Sequence, residues 1–257
     1  MIHHKLQVRN LTFSYPDGQE AIKNMSFDIM PGESVGIIGA NGAGKSTLLM
    51  LLMGILTSKN GEIIVGEEKL NKKTLSKIRE KLGMVFQDPD DQLFMTTVYD
   101  DVAFGPRNYN LQEEEVERRV MKALNLVGIP HLKDRAPFKL SGGEKRCAAI
   151  ASVLSMKPDI LIMDEPTSAL DPKSRRNLIN MLNKFEHTKL ITSHDLDMVL
   201  DTCNRIIVIK NGEIIADGSS KQILRDSELL DTCGLEIPLS IQNCPICGRG
   251  NKQFVNK

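Results

Sequence analysis

The chain has 257 residues, 41% of them hydrophobic, which is enough for one sizeable core with an appended piece. Lys plus Arg and Asp plus Glu both number 33, so the formal net charge is zero and no bulk attraction to nucleic acid is built in. Trp is absent and aromatic residues make up only 4%, so base-stacking platforms are not a theme.

No apolar run approaches the roughly 20 residues that span a bilayer. The longest, near residues 48–56 and 206–209, are core-sized. The start, Met1-Ile2-His3-His4-Lys5, lacks an apolar signal core. A cytoplasmic protein is expected, with any membrane role passing through a partner. The cysteines, Cys147, Cys203, Cys233, Cys244 and Cys247, are odd in number, which argues against a disulfide framework.

Residues 5–13 alternate, with Leu6, Val8, Leu11 and Phe13 apolar, and predict a strand. Ser14-Tyr15-Pro16-Asp17-Gly18 is a turn. Residues 21–29 form a second half-buried strand, closed by Pro31-Gly32-Glu33. The apolar run 34–38 reads as a buried strand and 48–53 as a buried helix. A strand follows at 61–65, a helix at 74–81, and a buried strand at 82–86 that ends at Gln87. Residues 88–158 hold no convincing strand. Within them, residues 113–127 carry Val116, Val120, Leu124 and Val127 at helical spacing, and 141–156 reads as a mostly apolar helix. This is a helical insert between two strands of an α/β core. The core resumes with a central parallel strand at 160–163. A helix marked by Leu178, Ile179, Met181, Leu182 and Phe185 follows, then a strand at 190–192 and a helix at 195–201. Residues 206–209 and 213–215 pair across Lys210-Asn211-Gly212. Beyond about Leu235 the periodicity fades, and 248–257 is polar.

Between the strand at 34–38 and its helix lies Gly39-Ala40-Asn41-Gly42-Ala43-Gly44-Lys45-Ser46-Thr47. Strand, glycine loop, Lys-Ser and helix is the context in which this pattern makes a phosphate cradle. Gly39, Gly42 and Gly44 let backbone N–H groups turn inward around an anion. The helix start adds unpaired donors and a positive dipole end. Lys45 supplies a cation for the outer phosphates and the Ser46 hydroxyl a ligand for Mg²⁺. A chance match at these spacings is on the order of 1% for a chain this long, so a nucleoside triphosphate site is inferred.

Asp164-Glu165 follows the strand at 160–163, at the sheet edge where parallel α/β proteins bind ligands. Asp164 there reaches the Mg²⁺ held by Ser46, and Glu165 faces an attacking water, the pairing that phosphoanhydride hydrolysis needs. A helix cap or surface turn is the alternative for such an acidic pair. Gln87, at a strand end, offers an amide oxygen to a metal or water. His194, in Ser193-His194-Asp195, follows the strand at 190–192 at the same edge and is placed to contact the terminal phosphate. Leu140-Ser141-Gly142-Gly143-Glu144-Lys145-Arg146 opens a second anion-binding helix start. One γ-phosphate does not need two such sites, so the second is read as serving a nucleotide held by another copy.

These segments, with Ile160–Asp164 leading into Glu165-Pro166, and with Ser168-Ala169-Leu170-Asp171, resemble the ATP-binding-cassette ATPases over roughly residues 5–230. The resemblance implies an α/β fold: a P-loop core with a mixed sheet, an N-terminal antiparallel β subdomain and an inserted α-helical subdomain at about 88–158. The cassette domain then covers 1–235, and 236–257 is a Cys-containing tail. It also implies a head-to-tail dimer, homodimer or heterodimer with a paralogous ATPase. Two ATPs would each sit between the 39–47 loop, with Asn41 and Thr47 among its contacts, and Ser141-Gly142-Gly143 of the other subunit. Tyr15 would stack on adenine, with a plain turn aromatic as its alternative. Lys45 would meet the β- and γ-phosphates, and Ser46, Gln87 and Asp164 the Mg²⁺. Glu165 would be the general base, Asp171 would act across the interface, and His194 on the γ-phosphate.

More narrowly, Val85-Phe86-Gln87-Asp88-Pro89-Asp90-Asp91-Gln92-Leu93-Phe94 and Thr97-Val98-Tyr99-Asp100-Asp101-Val102-Ala103-Phe104-Gly105-Pro106 resemble the energy-coupling-factor branch of importers. Gly143-Glu144-Lys145-Arg146 and the compact length look most like its cobalt/nickel ATPases, with the vitamin importers as the alternative. The resemblance implies a peripheral ATPase at the cytoplasmic face of the cell membrane, partnered by a membrane transport subunit and a substrate-binding membrane component. A non-transport ATPase acting on nucleic acid or ribosomes is the rival. Such cassettes usually carry two ATP domains or coiled-coil inserts, and this sequence has neither, so no nucleic acid partner is expected.

Two features depart from the pattern. Cys147-Ala148 stands where a basic residue and Val are usual, and Cys147 reads as a packing substitution. Cys244-Pro245-Ile246-Cys247-Gly248 is half of a zinc knuckle, which cannot close a tetrahedral site alone. Cys233 or a second chain would have to complete it; the competing reading is a free reduced thiol pair. With that second reading, purified native protein and Cys244→Ser/Cys247→Ser protein carry equal zinc by elemental analysis. Excess zinc in the native protein would establish the knuckle instead.

Overall fold

A computed structural model describes residues 4–185 and 187–242. The chain opens with β1 (Leu6–Ser14) and β2 (Glu20–Ile29), followed by β3 (Ser34–Ile38) and α1 (Lys45–Leu52). Next come β4 (Asn60–Val65), β5 (Glu68–Lys69), α2 (Leu75–Lys81) and β6 (Leu82–Val85). Three helices follow: α3 (Val98–Asn108), α4 (Glu113–Val127) and α5 (Gly142–Leu154). The core resumes with β7 (Ile160–Asp164), α6 (Pro172–Asn183), β8 (Thr188–Thr192), α7 (Leu196–Thr202), β9 (Arg205–Lys210) and β10 (Glu213–Ser219). Two short helices, α8 (Ser220–Ile223) and α9 (Ser227–Thr232), follow.

The strands form two sheets. An antiparallel four-stranded sheet has the order β2-β1-β4-β5, and a six-stranded sheet has the order β10-β9-β3-β8-β7-β6. In the larger sheet all neighbours run parallel except β10, which folds back on β9. That reversal is made by Asn211 and Gly212, both at positive φ (50° and 81°), as a two-residue hairpin turn requires. The mixed sheet, the antiparallel β sheet and the helical segment are those the sequence predicts.

The parallel strands are apolar throughout because both faces are covered. Residues alternate between two hydrophobic clusters. Leu161, Met163 and Ile191 join the one built with α3, α4 and α5. Ile160, Ile162 and Leu190 join the one shared with α1 and the antiparallel sheet. This period of two within an unbroken apolar run explains why no polar alternation marks these strands. On α4, Val116, Val120, Ala123 and Leu124 face the core, and Gly128 at φ 80° ends the helix.

Several elements differ from the sequence reading. Helix α3 is not among the elements the sequence analysis names, and it contains Gly105-Pro106, a pair that ordinarily disfavours helix. The helix runs through Pro106 because the carbonyl that proline leaves without a partner, on Val102, accepts from the Ser155 hydroxyl at 2.8 Å. Helix α1 begins at Lys45 rather than 48. Helix α6 begins at Pro172, earlier than its apolar residues suggest, because Asp171 caps it and Pro172 occupies the first helical position. Helices α8 and α9 are too short to show a period.

After α9, Leu235, Ile237 and Ile241 still pack on the helical-side core, and the Ser240 amide donates to Asp197 Oδ1 at 3.0 Å. Cys147 is partly buried against the same core, and burial pushes its thiol up to about 11, as fits a packing role. Cys244 and Cys247 lie outside the described residues. Among the described residues no helix is long and apolar enough to cross a membrane.

Gly36 lies in β3 directly beneath α7. A Cβ there would come within 2.7 Å of Val199 Cγ1 and 3.5 Å of Cys203 Sγ. Gly36→Ala is expected to cost about 1–3 kcal/mol by overpacking, read as a lower urea midpoint. An unchanged midpoint would show that α7 moves away freely.

Candidate functional site

The carboxyl ends of β3, β6, β7 and β8 lie on one sheet edge because these strands are parallel. That edge gathers the loop after Ile38, Gln87, Asp164 with Glu165, and His194. The 39–47 loop is forced to be glycine-rich. A Cβ on Gly39 would lie 2.2 Å from the Ile209 carbonyl oxygen, and Gly44, at φ 107°, would place one 2.5 Å from the Ala21 carbonyl. No side chain caps α1, and its first turn contains no acid. Its leading N–H groups and dipole therefore face outward for an external anion.

Lys45 is only 7% exposed. Its Nζ donates to the carbonyls of Gly39 at 2.8 Å and Ala40 at 3.2 Å, and lies 3.1 Å from His194 Nε2. Burial lowers its pKa, against the opposing pull of Glu165 and Asp164. An ammonium only donates, so in this contact Nε2 is the acceptor.

Glu165 follows β7 in a left-handed backbone conformation (φ 44°). Its N–H donates to the Thr192 carbonyl at 3.1 Å and contacts the Thr192 hydroxyl at 3.2 Å. Its Oε2 accepts from the His194 amide at 3.0 Å. Its Oε1 is buried, lies 3.3 Å from His194 Nε2 and has no hydrogen-bond donor. Because Nε2 is the acceptor for Lys45, it has no proton to give Glu165. The strained turn thus presents an acceptor oxygen that no donor among the described residues satisfies.

These groups border a cleft of about 440 Å³. Tyr15 forms one wall: its hydroxyl lies 2.9 Å from Thr47 Oγ1, and its ring meets Phe13 edge-on at 5.0 Å. Asn41, Gly42, Gly44, Lys45, Ser46 and Thr47 form the floor, and Gln87, Glu165 and His194 the far side. Asp164 lies just beneath, buried, with Oδ1 accepting from the Thr192 hydroxyl.

Gln19, Thr167, Ser168 and Asp195 also line the cleft and were given no role from sequence, although Ser168 and Asp195 lie within quoted motifs. Asp195 had a signal, since it sits one residue past His194 at a strand end. Burial works to raise its pKa, but the Arg175 guanidinium, the Met198 amide and the Thr167 side chain together outweigh this and hold the carboxyl below its ordinary value. Arg175 Nη2 reaches Asp195 Oδ1 at 2.7 Å, and the same carboxylate caps α7 through the Met198 amide at 3.0 Å. Gln19 lies in no motif and had no signal.

Ser141, Gly142, Gly143 and Asp171 do not line this cleft. They meet at a second place, where the starts of α5 and α6 adjoin. A Cβ on Gly143 would fall 2.5 Å from Ser174 Oγ, and Asp171 accepts from the Ser174 amide at 3.1 Å and from its hydroxyl. Ser141 and Glu144 form a reciprocal capping box, which occupies the Ser141 N–H and hydroxyl. Ser141 and Gly142 are exposed to solvent.

A nucleotide-sized cleft at the carboxyl edge of a parallel sheet, floored by a glycine cradle and flanked by an open carboxylate, defines an ATPase of the P-loop type. Residues 22–168 match the ABC transporter family, and the chain belongs to it, as an ATP-binding protein of the energy-coupling-factor type. It is 56% identical to an ABC transporter ATP-binding protein of Geobacter sulfurreducens, over 97% of this chain and 100% of that one. It is 46% identical to the energy-coupling factor transporter ATP-binding protein EcfA of Methanothermobacter thermautotrophicus, over 91% of this chain and 76% of that one. Among solved structures it resembles cbiO1 from Clostridium perfringens, part of the ABC transporter complex cbiONQ. That likeness has a TM-score of 0.79 and 40% identity, over 88% of this chain and 93% of the other. A dimeric ATP-binding cassette in a post-hydrolysis state, bound to ADP and Pi, aligns with a TM-score of 0.76 and 29% identity over 84% of this chain and 98% of that one. The chain is thus an ATPase whose hydrolysis is coupled to transport.

Lys45→Ala removes the buried cation of the cradle. ATP affinity measured by calorimetry is expected to fall at least about tenfold, the scale of one lost charge-assisted contact. Unchanged affinity would contradict the cradle.

Proposed function

We propose that this chain energises a membrane importer of transition-metal ions, cobalt or nickel, from the cytoplasmic face of the cell membrane. The observation that carries the reading is the 40% identity to cbiO1 over nearly the whole of both chains, a protein described as part of cbiONQ. The neutral net charge supports it against the nucleic-acid rival.

In this reading ATP lies on the 39–47 cradle with its adenine against Tyr15. Lys45 leaves the carbonyls of Gly39 and Ala40 for the β- and γ-phosphates. That releases His194 Nε2, which on taking up a proton from solvent becomes an N–H donor facing the γ-phosphate. Glu165 Oε1, with no protein donor to satisfy it, takes a hydrogen bond from water and serves as the general base. Mg²⁺ suits Ser46, Gln87 and Asp164, because all three offer hard oxygen ligands, and when bound it neutralises phosphate charge. The Ser141-Gly142-Gly143 start, exposed at Ser141 and Gly142 and with Asp171 beside it, serves the ATP on a second copy or on a paralogue. Two ATPs close the pair, and hydrolysis reopens it.

The movement passes to a membrane subunit through residues 87–105. Phe94 and Phe104 are 65% and 40% exposed and meet edge-on at 4.9 Å, an apolar feature suited to a partner. Asp101 stiffens this surface by accepting from the amides of Phe94 at 2.9 Å and Met95 at 3.0 Å.

Glu165→Gln is expected to bind ATP, become dimeric with ATP, and turn over about 10²–10⁴-fold more slowly, the usual scale for loss of a general base. Normal turnover would remove Glu165 from that role. A strictly monomeric form hydrolysing at the full rate would remove the two-copy site. Co-purification with a membrane partner and ATP-dependent cobalt or nickel uptake in vesicles would separate the importer from a nucleic-acid ATPase.

A further inference from the structure

Arg146 lies one turn into α5 from Gly142 and Gly143 and is only 2% exposed. Among the described residues its guanidinium forms no ion pair with a carboxylate, though Asp88 and Asp164 are near enough to act on it through space. Instead Nη1 donates to the Phe86 carbonyl at 2.7 Å and Nη2 to the Gln87 carbonyl at 2.6 Å, while Nε has no hydrogen-bond partner. A buried cation with an unsatisfied nitrogen is a poor way to fill core volume, which an apolar side chain fills at lower cost. The planar fork, however, suits holding two successive carbonyls in a fixed direction.

Two further side chains bind the same backbone to the same helix. Gln92 accepts from the Phe86 amide at 3.2 Å and donates to the Ala149 carbonyl at 2.7 Å and Ser152 Oγ at 2.8 Å. Lys145 donates to Asp90 at 2.6 Å. Both backbone groups of Phe86 are therefore held from α5 or by a side chain that is itself bound to α5. Gln87, the next residue, lines the ATP cleft.

We infer that Arg146 is a positioning residue that makes the Gln87 strand end and the Ser141-Gly142-Gly143 helix start move as one body, so that ATP in one cleft sets the segment offered to the other. This rests on the two-copy reading above. A shift of the Gln87 backbone passes through the Arg146 side chain into α5, and Gly142 lies only about 6 Å, one turn of helix, from Arg146, with no loop between to absorb it. The three tethers differ in exposure. Lys145–Asp90 lies at the surface, where an ion pair contributes little, and Arg146 is the inner one.

Arg146→Lys keeps the charge but cannot hold both carbonyls in a fork, and Arg146→Met keeps the bulk without any donor. Binding of a fluorescent ATP analogue to the Lys45 cradle is expected to stay within about twofold of the native Kd, while kcat falls at least about tenfold and the Hill coefficient for ATP drops toward 1. A purely structural Arg146 would lower thermal stability without splitting Kd from kcat. Native kcat and Hill coefficient in both variants, or Kd and kcat falling together, would overturn the inference. Hydrogen exchange on the native protein tests it without a variant. On ATP binding, amides 86–92 and 141–149 are expected to change protection together. A change in 86–92 alone would overturn the inference, whereas no change in 39–47 would count against the nucleotide reading itself.

Discussion

An ammonium group buried at the end of a parallel sheet needs a large negative charge nearby, and this chain leaves that charge to be supplied from outside. Lys45 is held by two backbone carbonyls and the His194 ring nitrogen, with the carboxylates of Glu165 and Asp164 near but not paired to it. The uncapped start of α1 points the same way. Both features are costly in an empty cleft and favourable around phosphates. Much of the surrounding architecture serves to hold them. The parallel strands bring four loops to one edge. The glycines allow the loop to pass under the Ile209 and Ala21 carbonyls. The left-handed turn at Glu165 directs a carboxylate oxygen back toward the same centre.

The second requirement is geometric. The groups that suit a γ-phosphate are divided between two places on one chain. The Lys45 cleft contains the cradle, Glu165 and His194, while the glycine start of α5 lies elsewhere with Asp171. The link between the two places runs through the end of β6, where Gln87 enters the cleft and its carbonyl is held by α5. A helical layer pinned in this manner to a strand end carries displacement rather than absorbing it, because close-packed side chains have discrete arrangements. The aromatic pair of Phe94 and Phe104 sits on the same layer, beyond the pin.

Much of this was legible from residues alone, for local reasons. The cradle is written in consecutive residues because a strand, a turn and a helix start are consecutive. Asp164, Glu165 and His194 were recoverable because each directly follows an apolar strand, and strand ends are where parallel sheets place their ligands. Cys147 could be assigned to packing because a small apolar thiol next to Ala148 suits a buried helix face. Helix α3 was not legible. Its proline signals a break, and only a hydroxyl 53 residues further along the chain satisfies the freed carbonyl. Gln19 and Thr167 reach the cleft by folding and belong to none of the motifs read from the sequence.

By itself, then, the sequence determined the chemistry at the centre: a phosphate cradle, strand-end acids and a second glycine helix start, all encoded by short-range spacing and apolar runs. The tertiary structure alone decided how these parts are connected. It left Glu165 Oε1 without a donor by committing His194 Nε2 to Lys45. It spent the Ser141 hydroxyl on a capping box, and it turned Arg146 from a helix residue into a clamp on the backbone of Phe86 and Gln87. Each depends on partners distant in sequence, and hydrogen bonds over such separations exist only once the strands and helices have packed.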